Sequence, residues 1–219
     1  MRLVEERERV ATVARELAAR GLVLGTAGNV SARNGDLVAV SPTGCVLAEL
    51  SADQVSVVDL DGRRVDGPLE PTSELDLHLE VMRRYESGGV VHTHSPMATA
   101  LSCVLDEVPC VHYSMLALGG TVPVAPYTTF GTPELAQSVA DSLEGHAGAL
   151  MANHGAVTHS DSVDAAFELS LLLEWACSVY WHAASIATPR SLNADERSAV
   201  VAAVIERGYG TTHEVDTET

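Results

Sequence analysis

Not one lysine occurs in the 219 residues, and all 13 basic side chains are arginines. Chemistry that begins with a side-chain amine adding to a carbonyl is thereby excluded. Any carbonyl reaction here needs another electron sink. Aromatic residues are nearly as scarce, at 4% of a chain that is 46% hydrophobic, so valine, leucine and alanine must fill the core. No Cys-x-x-Cys pair is present; Cys45, Cys103, Cys110 and Cys177 read as reduced, buried small hydrophobes. No apolar run approaches a membrane span. The opening MRLVEERERV is charged and helix-like rather than a signal peptide, which points to a cytoplasmic protein. Internal repeats and low-complexity segments are absent as well.

Charge is heavily one-sided, with 30 acidic residues against 13 basic ones and a formal net charge of −17. Such a field repels phosphate backbones and anionic membranes, which argues against nucleic-acid and membrane partners. An anionic ligand would have to be drawn by local dipoles or a metal.

What is present reads as one α/β domain over residues 1–219, with a central mixed or antiparallel sheet flanked by helices. Residues 3–20 carry Leu3, Val10, Val13, Ala14 and Leu17 at helical spacing and stop at Gly21. NVSARNGDLVAVS reads as a hairpin turning at Asn34-Gly35, and VSVVDLDGRRV as a second turning at Asp61-Gly62. SELDLHLEVMRRYE is helical, with Ser73 as N-cap and Asp76 three residues on. A helix from Ser95, an extended TVPVAPY and a helix with Pro133 in its first turn follow. GALMANHGAVTH reads as strand, turn and strand, and two long helices at 161–188 and 194–207 flank Pro189.

Within this pattern, GGVVHTHSP places His92 and His94 two residues apart at the end of a short buried strand. Residues i and i+2 of a strand share a face, so both imidazoles emerge side by side. Two readings fit: paired metal ligands, or two histidines hydrogen-bonded at a strand end. A third candidate, His154, follows the apolar Ala149, Leu150 and Met151 in MANHGAV. Glu74, in the first turn of its helix, is a fourth. His78, one turn beyond Glu74, sits behind the ligands or faces solvent. His146, His159, His182 and His213 occupy polar or helical settings and read as surface or core residues.

GTAGNVSAR, SPTG, PTSELDLH, VVHTHSP, PYTTFGT and NHGAV, in this order and spacing, resemble the class II aldolase/adducin family from the first helix almost to the C-terminus, ERGYG included. The resemblance implies one divalent metal per chain, usually zinc with manganese or cobalt as substitutes, held by His92, His94 and His154 with Glu74. It implies reversible cleavage of a ketose 1-phosphate, of the L-fuculose 1-phosphate type, into dihydroxyacetone phosphate and an aldehyde. Glu74 would leave the metal and act as general base and acid. The missing lysine is consistent with this, because the metal then supplies the electron sink.

The resemblance also assigns phosphate binding to Thr26, Gly28, Asn29, Thr43, Gly44, Thr72 and Ser73. The residues suit the task, since Gly25 and Gly28 allow close backbone approach, and Thr72-Ser73 sits at a helix N-terminus. Two tight turns and a helix cap describe the same stretches. Tyr113 is implied to reach a neighbouring subunit's site and serve the aldehyde oxygen. Tyr209 is implied to belong to a C-terminal tail, from about residue 208, that closes over substrate. Both imply a homotetramer with sites at subunit interfaces. Phe130 is placed at the aldehyde end of the pocket, although packing explains it equally well.

Other activities on the same scaffold compete: a 5-deoxy- or methylthio-ribulose-1-phosphate aldolase or dehydratase, a pentulose-phosphate 4-epimerase, a decarboxylase of sugar-acid phosphates, and a non-catalytic adducin-like domain. The epimerases carry an aspartate where Glu74 stands and a lysine where Ser41 stands, and the adducin branch lacks the ligand set. Tyr113 and Tyr209 favour the aldolase.

Overall fold

A computed structural model describes residues 1–208, and Tyr209 with the rest of the C-terminal tail lies outside the described residues. The chain begins with helix α1, Val4–Ala19, which buries Val10, Ala11, Val13, Ala14 and Leu17 along one stripe. Strands β1 (Asn29–Asn34) and β2 (Leu37–Val40) form the first hairpin. Its register pairs Asn34 with Leu37, so the two turn residues are Gly35 and Asp36, one position later than expected. The reason is conformational: Gly35 adopts φ +60°, and Asn34 still pairs in the ladder. β3 (Ser56–Asp59) and β4 (Arg64–Asp66) form the second hairpin, around Gly62.

Helix α2 runs from Leu75 to Tyr85. Its N-cap is Glu74 rather than Ser73, and the hydroxyl that accepts the Glu74 amide, at 3.2 Å, belongs to Thr72. The helix begins later than the sequence suggested because Thr72 turns the chain first. β5, Gly89–Thr93, is buried along its whole length. Next come α3 (Pro96–Ser102), the two-residue strand β6 (Glu107–Val108), β7 (Val122–Ala125) and α4 (Pro133–Ser142). β8 (Gly148–Met151) and β9 (Gly155–Ser160) precede α5 (Val163–Ile186) and α6 (Ala194–Arg207).

The nine strands make one mixed sheet in the order β4-β3-β2-β1-β5-β9-β8-β7-β6. Neighbours pair antiparallel except β7 and β8, which are parallel and joined through α4, the crossover such a pair requires. Side chains alternate across the sheet. Val91 faces α1 and α5, while Val90 packs with Leu79, Val81 and Met82 of α2 and with Leu135 and Val139 of α4. Beyond them, α3 and the second half of α5 enclose Leu101, Leu150, Leu173 and Cys177. Phe167 is the one aromatic side chain among the described buried hydrophobics, as the composition required. Each fully buried valine or leucine contributes about 1.5–3 kcal/mol. The site takes its place from one consequence of the alternation. His92 shares the face of Val90, so it points into the α2 layer at the end where α2 begins.

Candidate active site

His92 pairs with Asn29 across β1 and with Val157 across β9, so its ring is carried by the centre of the sheet and is wholly buried. Its Nδ1 lies 2.9 Å from the carbonyl of Ala156. A carbonyl only accepts, so Nδ1 carries a proton and Nε2 is the atom turned to the cluster. His94 stands just past the end of β5, and its Nε2 is 3.0 Å from that of His92. His154 belongs to the tight turn between β8 and β9, where Asn153 takes a left-handed φ of +57°.

The three ring centroids are 4.8, 4.9 and 4.9 Å apart, a nearly equilateral set, and the candidate ligand atoms lie within 4.8 Å of one another. This is a histidine cluster able to hold a metal ion. Gly155 makes the closure possible: a Cβ there would stand 2.2 Å from the carbonyl oxygen of Thr93, between His92 and His94. Gly28 does the same for β1, since a Cβ there would lie 2.9 Å from the His92 carbonyl oxygen.

Glu74 closes the cluster. Its Oε2 is 3.2 Å from His92 Nε2 and its Oε1 is 3.5 Å from His154 Nε2. Oε1 is buried and has no hydrogen-bond partner. Burial disfavours the charged carboxylate, but His92, Asn29 and His154 outweigh it and hold Glu74 well below the usual range. Burial likewise works against a charged His92, and the Glu74 carboxylate more than reverses it, so that pKa is raised. His94 is pushed down to about 4, mainly by burial, with His92 and His154 adding to it. Burial also lowers His154, with His92 adding to the shift. A donor set of imidazole lone pairs and one ionised carboxylate suits a divalent ion of the zinc or manganese kind.

Glu74, His94 and His154 face a cleft of about 360 Å³. Thr26, Gly28 and Asn29 line it from the start of β1, Thr43 and Gly44 from the loop after β2, Thr72 and Ser73 from the turn before α2, and Phe130 from the loop before α4. The structure therefore brings these expected residues together. It adds Tyr127, Thr128 and Asn153, which lie within PYTTFGT and NHGAV but carry no assigned role in the sequence reading. Among the described residues, no arginine lines the cleft. Asn29 departs from expectation in one respect, because its amide nitrogen is engaged with Glu74 Oε2 at 2.9 Å. Tyr113 lies elsewhere, on a separate apolar groove with Leu172, Val201 and Val204 of α5 and α6, and its ring stacks 4.4 Å from His112. Sequence reasoning passed over His112, which caps the turn that carries Tyr113 by accepting the Ser114 amide.

His78 proves to sit behind the ligands. It is wholly buried, with Nε2 on Asn29 and Nδ1 on Ser31, and burial pushes its pKa down to about 3.

Known proteins are similar to this chain in sequence and fold. The model of the class II aldolase and adducin N-terminal domain matches residues 8–181. The 5-deoxy-D-ribulose 1-phosphate aldolase of Bacillus thuringiensis is 36% identical over 199 residues, 90% of this chain and 93% of that protein. The L-fuculose phosphate aldolase of Escherichia coli is 35% identical over 188 residues, covering 85% of this chain and 87% of that one. A solved L-fuculose 1-phosphate aldolase superposes with a TM-score of 0.86 at 28% identity, over 92% of this chain and 96% of that chain. With the family model spanning most of the sequence, and the fold superposing on a solved aldolase, the chain belongs to the class II aldolase and adducin N-terminal domain family.

Proposed function

We propose that the protein is a metal-dependent aldolase of the cytoplasm. It would cleave a ketose 1-phosphate reversibly into dihydroxyacetone phosphate and an aldehyde. The ketose is of the L-fuculose 1-phosphate kind or its 5-deoxyribulose 1-phosphate counterpart, as the names of the relatives suggest. One observation carries the reading: a buried, ionised Glu74 set among three histidines on a cleft of otherwise neutral hydroxyls and glycines.

The residues fit a divalent metal, zinc in our reading. The three histidines, with candidate ligand atoms within 4.8 Å of one another, and the Glu74 carboxylate, whose buried Oε1 lacks a hydrogen-bond partner, supply the donors. When bound, such an ion supplies the Lewis acid that draws electrons from the breaking carbon–carbon bond. The rest belongs to side chains. Thr26, Gly28, Thr43, Gly44, Thr72 and Ser73 receive the phosphate through hydroxyls, main-chain amides and the positive end of α2. Asn29 holds Glu74 from behind. In the synthetic direction Glu74 removes the C3 proton of dihydroxyacetone phosphate; in cleavage it returns it. Phe130 lines the end of the cleft that takes the aldehyde. Tyr113 of a neighbouring subunit gives its proton to the aldehyde oxygen, and Tyr209 helps close the site. That assignment requires a homo-oligomer, in our reading a homotetramer, because Tyr113 is not on the cleft of its own chain.

The test is exchange of the C3 proton of dihydroxyacetone phosphate with deuterated water, without aldehyde. Wild-type enzyme exchanges it, and Glu74→Gln loses about 10²–10⁴ in rate, the range for a general base. Exchange by Glu74→Gln at the wild-type rate places the base elsewhere. A retro-aldol panel of ketose 1-phosphates then ranks the substrates.

A further inference from the structure

Helix and strand periods meet at one point behind the site. Asn29 and Ser31 are two apart on β1 and so share a face, while Glu74 and His78 are four apart at the start of α2. Their side chains form a continuous buried chain. Ser31 Oγ is 2.6 Å from His78 Nδ1, His78 Nε2 is 2.5 Å from Asn29 Oδ1, and Asn29 Nδ2 is 2.9 Å from Glu74 Oε2.

The direction of this chain follows from chemistry. A carboxylate only accepts, so Asn29 must turn its NH2 toward Glu74 and its carbonyl toward His78. That carbonyl in turn requires the proton on Nε2, which leaves Nδ1 to accept from the Ser31 hydroxyl. Rotating the Asn29 amide by half a turn would set its carbonyl against the ionised Glu74. His78 forbids that rotation from the other side, because its Nε2–H would then meet an NH2. Every hydrogen-bonding atom of the three supporting side chains that faces the chain is used once, and Oε1 of Glu74 is the atom left without a partner.

We propose that His78 is a positioning residue of the reaction: through Asn29 it pins Oε2 of Glu74 and leaves Oε1 as the oxygen that exchanges the substrate proton. The proposal rests on Glu74 being the base. Without His78, Asn29 is free to rotate, the carboxylate turns about its own axis, and the proton-transfer geometry loosens while the phosphate groups of the cleft stay in place. The signature is therefore a fall in kcat with little change in KM.

The experiment compares His78→Leu, which removes both hydrogen bonds, with His78→Gln, whose amide can still donate to Asn29. Proton exchange on dihydroxyacetone phosphate is followed, with metal content and melting temperature measured beside it. His78→Leu should lose about 10- to 100-fold in kcat, the range for a residue that orients a reacting one, with KM within about twofold of wild type. His78→Gln should recover most of that loss. A folded His78→Leu with wild-type kcat overturns the proposal, and so does a His78→Gln no better than His78→Leu. If His78→Leu does not fold, His78→Gln is set against Asn29→Leu. The relay requires His78→Gln to keep at least a tenth of the rate while Asn29→Leu does not, and equal losses overturn it. Absence of exchange in the wild type would instead sink the aldolase reading.

Discussion

Replacing Gly155 with alanine adds one methyl group where the two halves of the histidine cluster join. Glycine is not needed there for its backbone angle; the constraint is space. The new Cβ would lie 2.2 Å from the Thr93 carbonyl oxygen, whereas real Cβ atoms essentially never come within 3.0 Å of such an atom. The obstacle is main chain held in two ladders, with Thr93 paired to Ala156 and Gly155 to Met151, so no side-chain rotation relieves it. Strands β5 and β9 must part by about 0.8 Å or more at that point. His92 and His94 flank Thr93, and His154 precedes Gly155, so parting them opens the cluster unevenly.

Overpacking of this kind costs about 1–3 kcal/mol of stability. A misplacement near 1 Å at a reacting centre costs roughly 10²-fold in rate. We expect Gly155→Ala to melt a few degrees lower, to retain less divalent metal than the wild type after dialysis, and to lose about 10²-fold in proton exchange. Gly145→Ala is the control: its Cβ meets nothing within 4 Å, but its φ of +75° strains an alanine. It should lower the melting temperature while leaving metal content and exchange intact. Wild-type metal occupancy and exchange in a folded Gly155→Ala would refute the reasoning.

Assembly can be tested by complementation: light scattering should report about four chains, and mixing Glu74→Gln with Tyr113→Phe subunits should restore activity by creating some sites with both residues intact. No recovery on mixing would mean that Tyr113 does not serve a neighbour. For pH, His159 accepts from Ser87 at Nδ1 and donates from Nε2 to the His146 carbonyl, and burial lowers its pKa. A base with a depressed folded pKa binds its proton in the unfolded chain first. Its contribution is therefore complete above about pH 6.5 and shrinks as the pH falls below that value. The stability difference between wild type and His159→Gln, measured by urea unfolding, should narrow from pH 7.5 to 5.5. The limit is about 1.4 kcal/mol per pH unit, trimmed by partial exposure. A difference independent of pH would show that His159 does not resist protonation. Salt should speed the enzyme: a net charge of −17 repels a phosphorylated substrate, and screening at 0.1 M over about 10 Å weakens that repulsion. kcat/KM should rise between 10 and 100 mM salt, and a fall would point to a cationic funnel that the cleft does not display.

Much of the site was legible because it rests on local periods. The strand period put His92 and His94 together, and the short turn after Met151 put His154 at a strand end. Both needed only neighbours in sequence. The fold class followed similarly from hairpins and helices, and the errors at Gly35 and Ser73 were shifts of one residue, where turn geometry rather than composition sets the boundary. β6 was invisible because two residues carry no period. Tyr127, Thr128 and Asn153 reach the cleft only through the crossing of loops far apart in the chain.

Asn29 and His78 show the limit more sharply. Asn29 was read as a donor to an anion, which its residue type allows, yet its amide bonds Glu74, 45 positions away, and its carbonyl meets His78, 49 positions away. No local pattern distinguishes these roles, because an amide side chain can serve phosphate or carboxylate equally well. Only the sheet register, which sets Asn29 opposite His92, decides. Under the proposed function, the same register lets so acidic a chain keep its ionised base, Glu74, beside a phosphate. Asn29 and His92 hold Glu74 on the sheet side, while the residues proposed to take the phosphate gather on loops and at the start of α2. On that reading the two negative groups are held by different walls of one cleft.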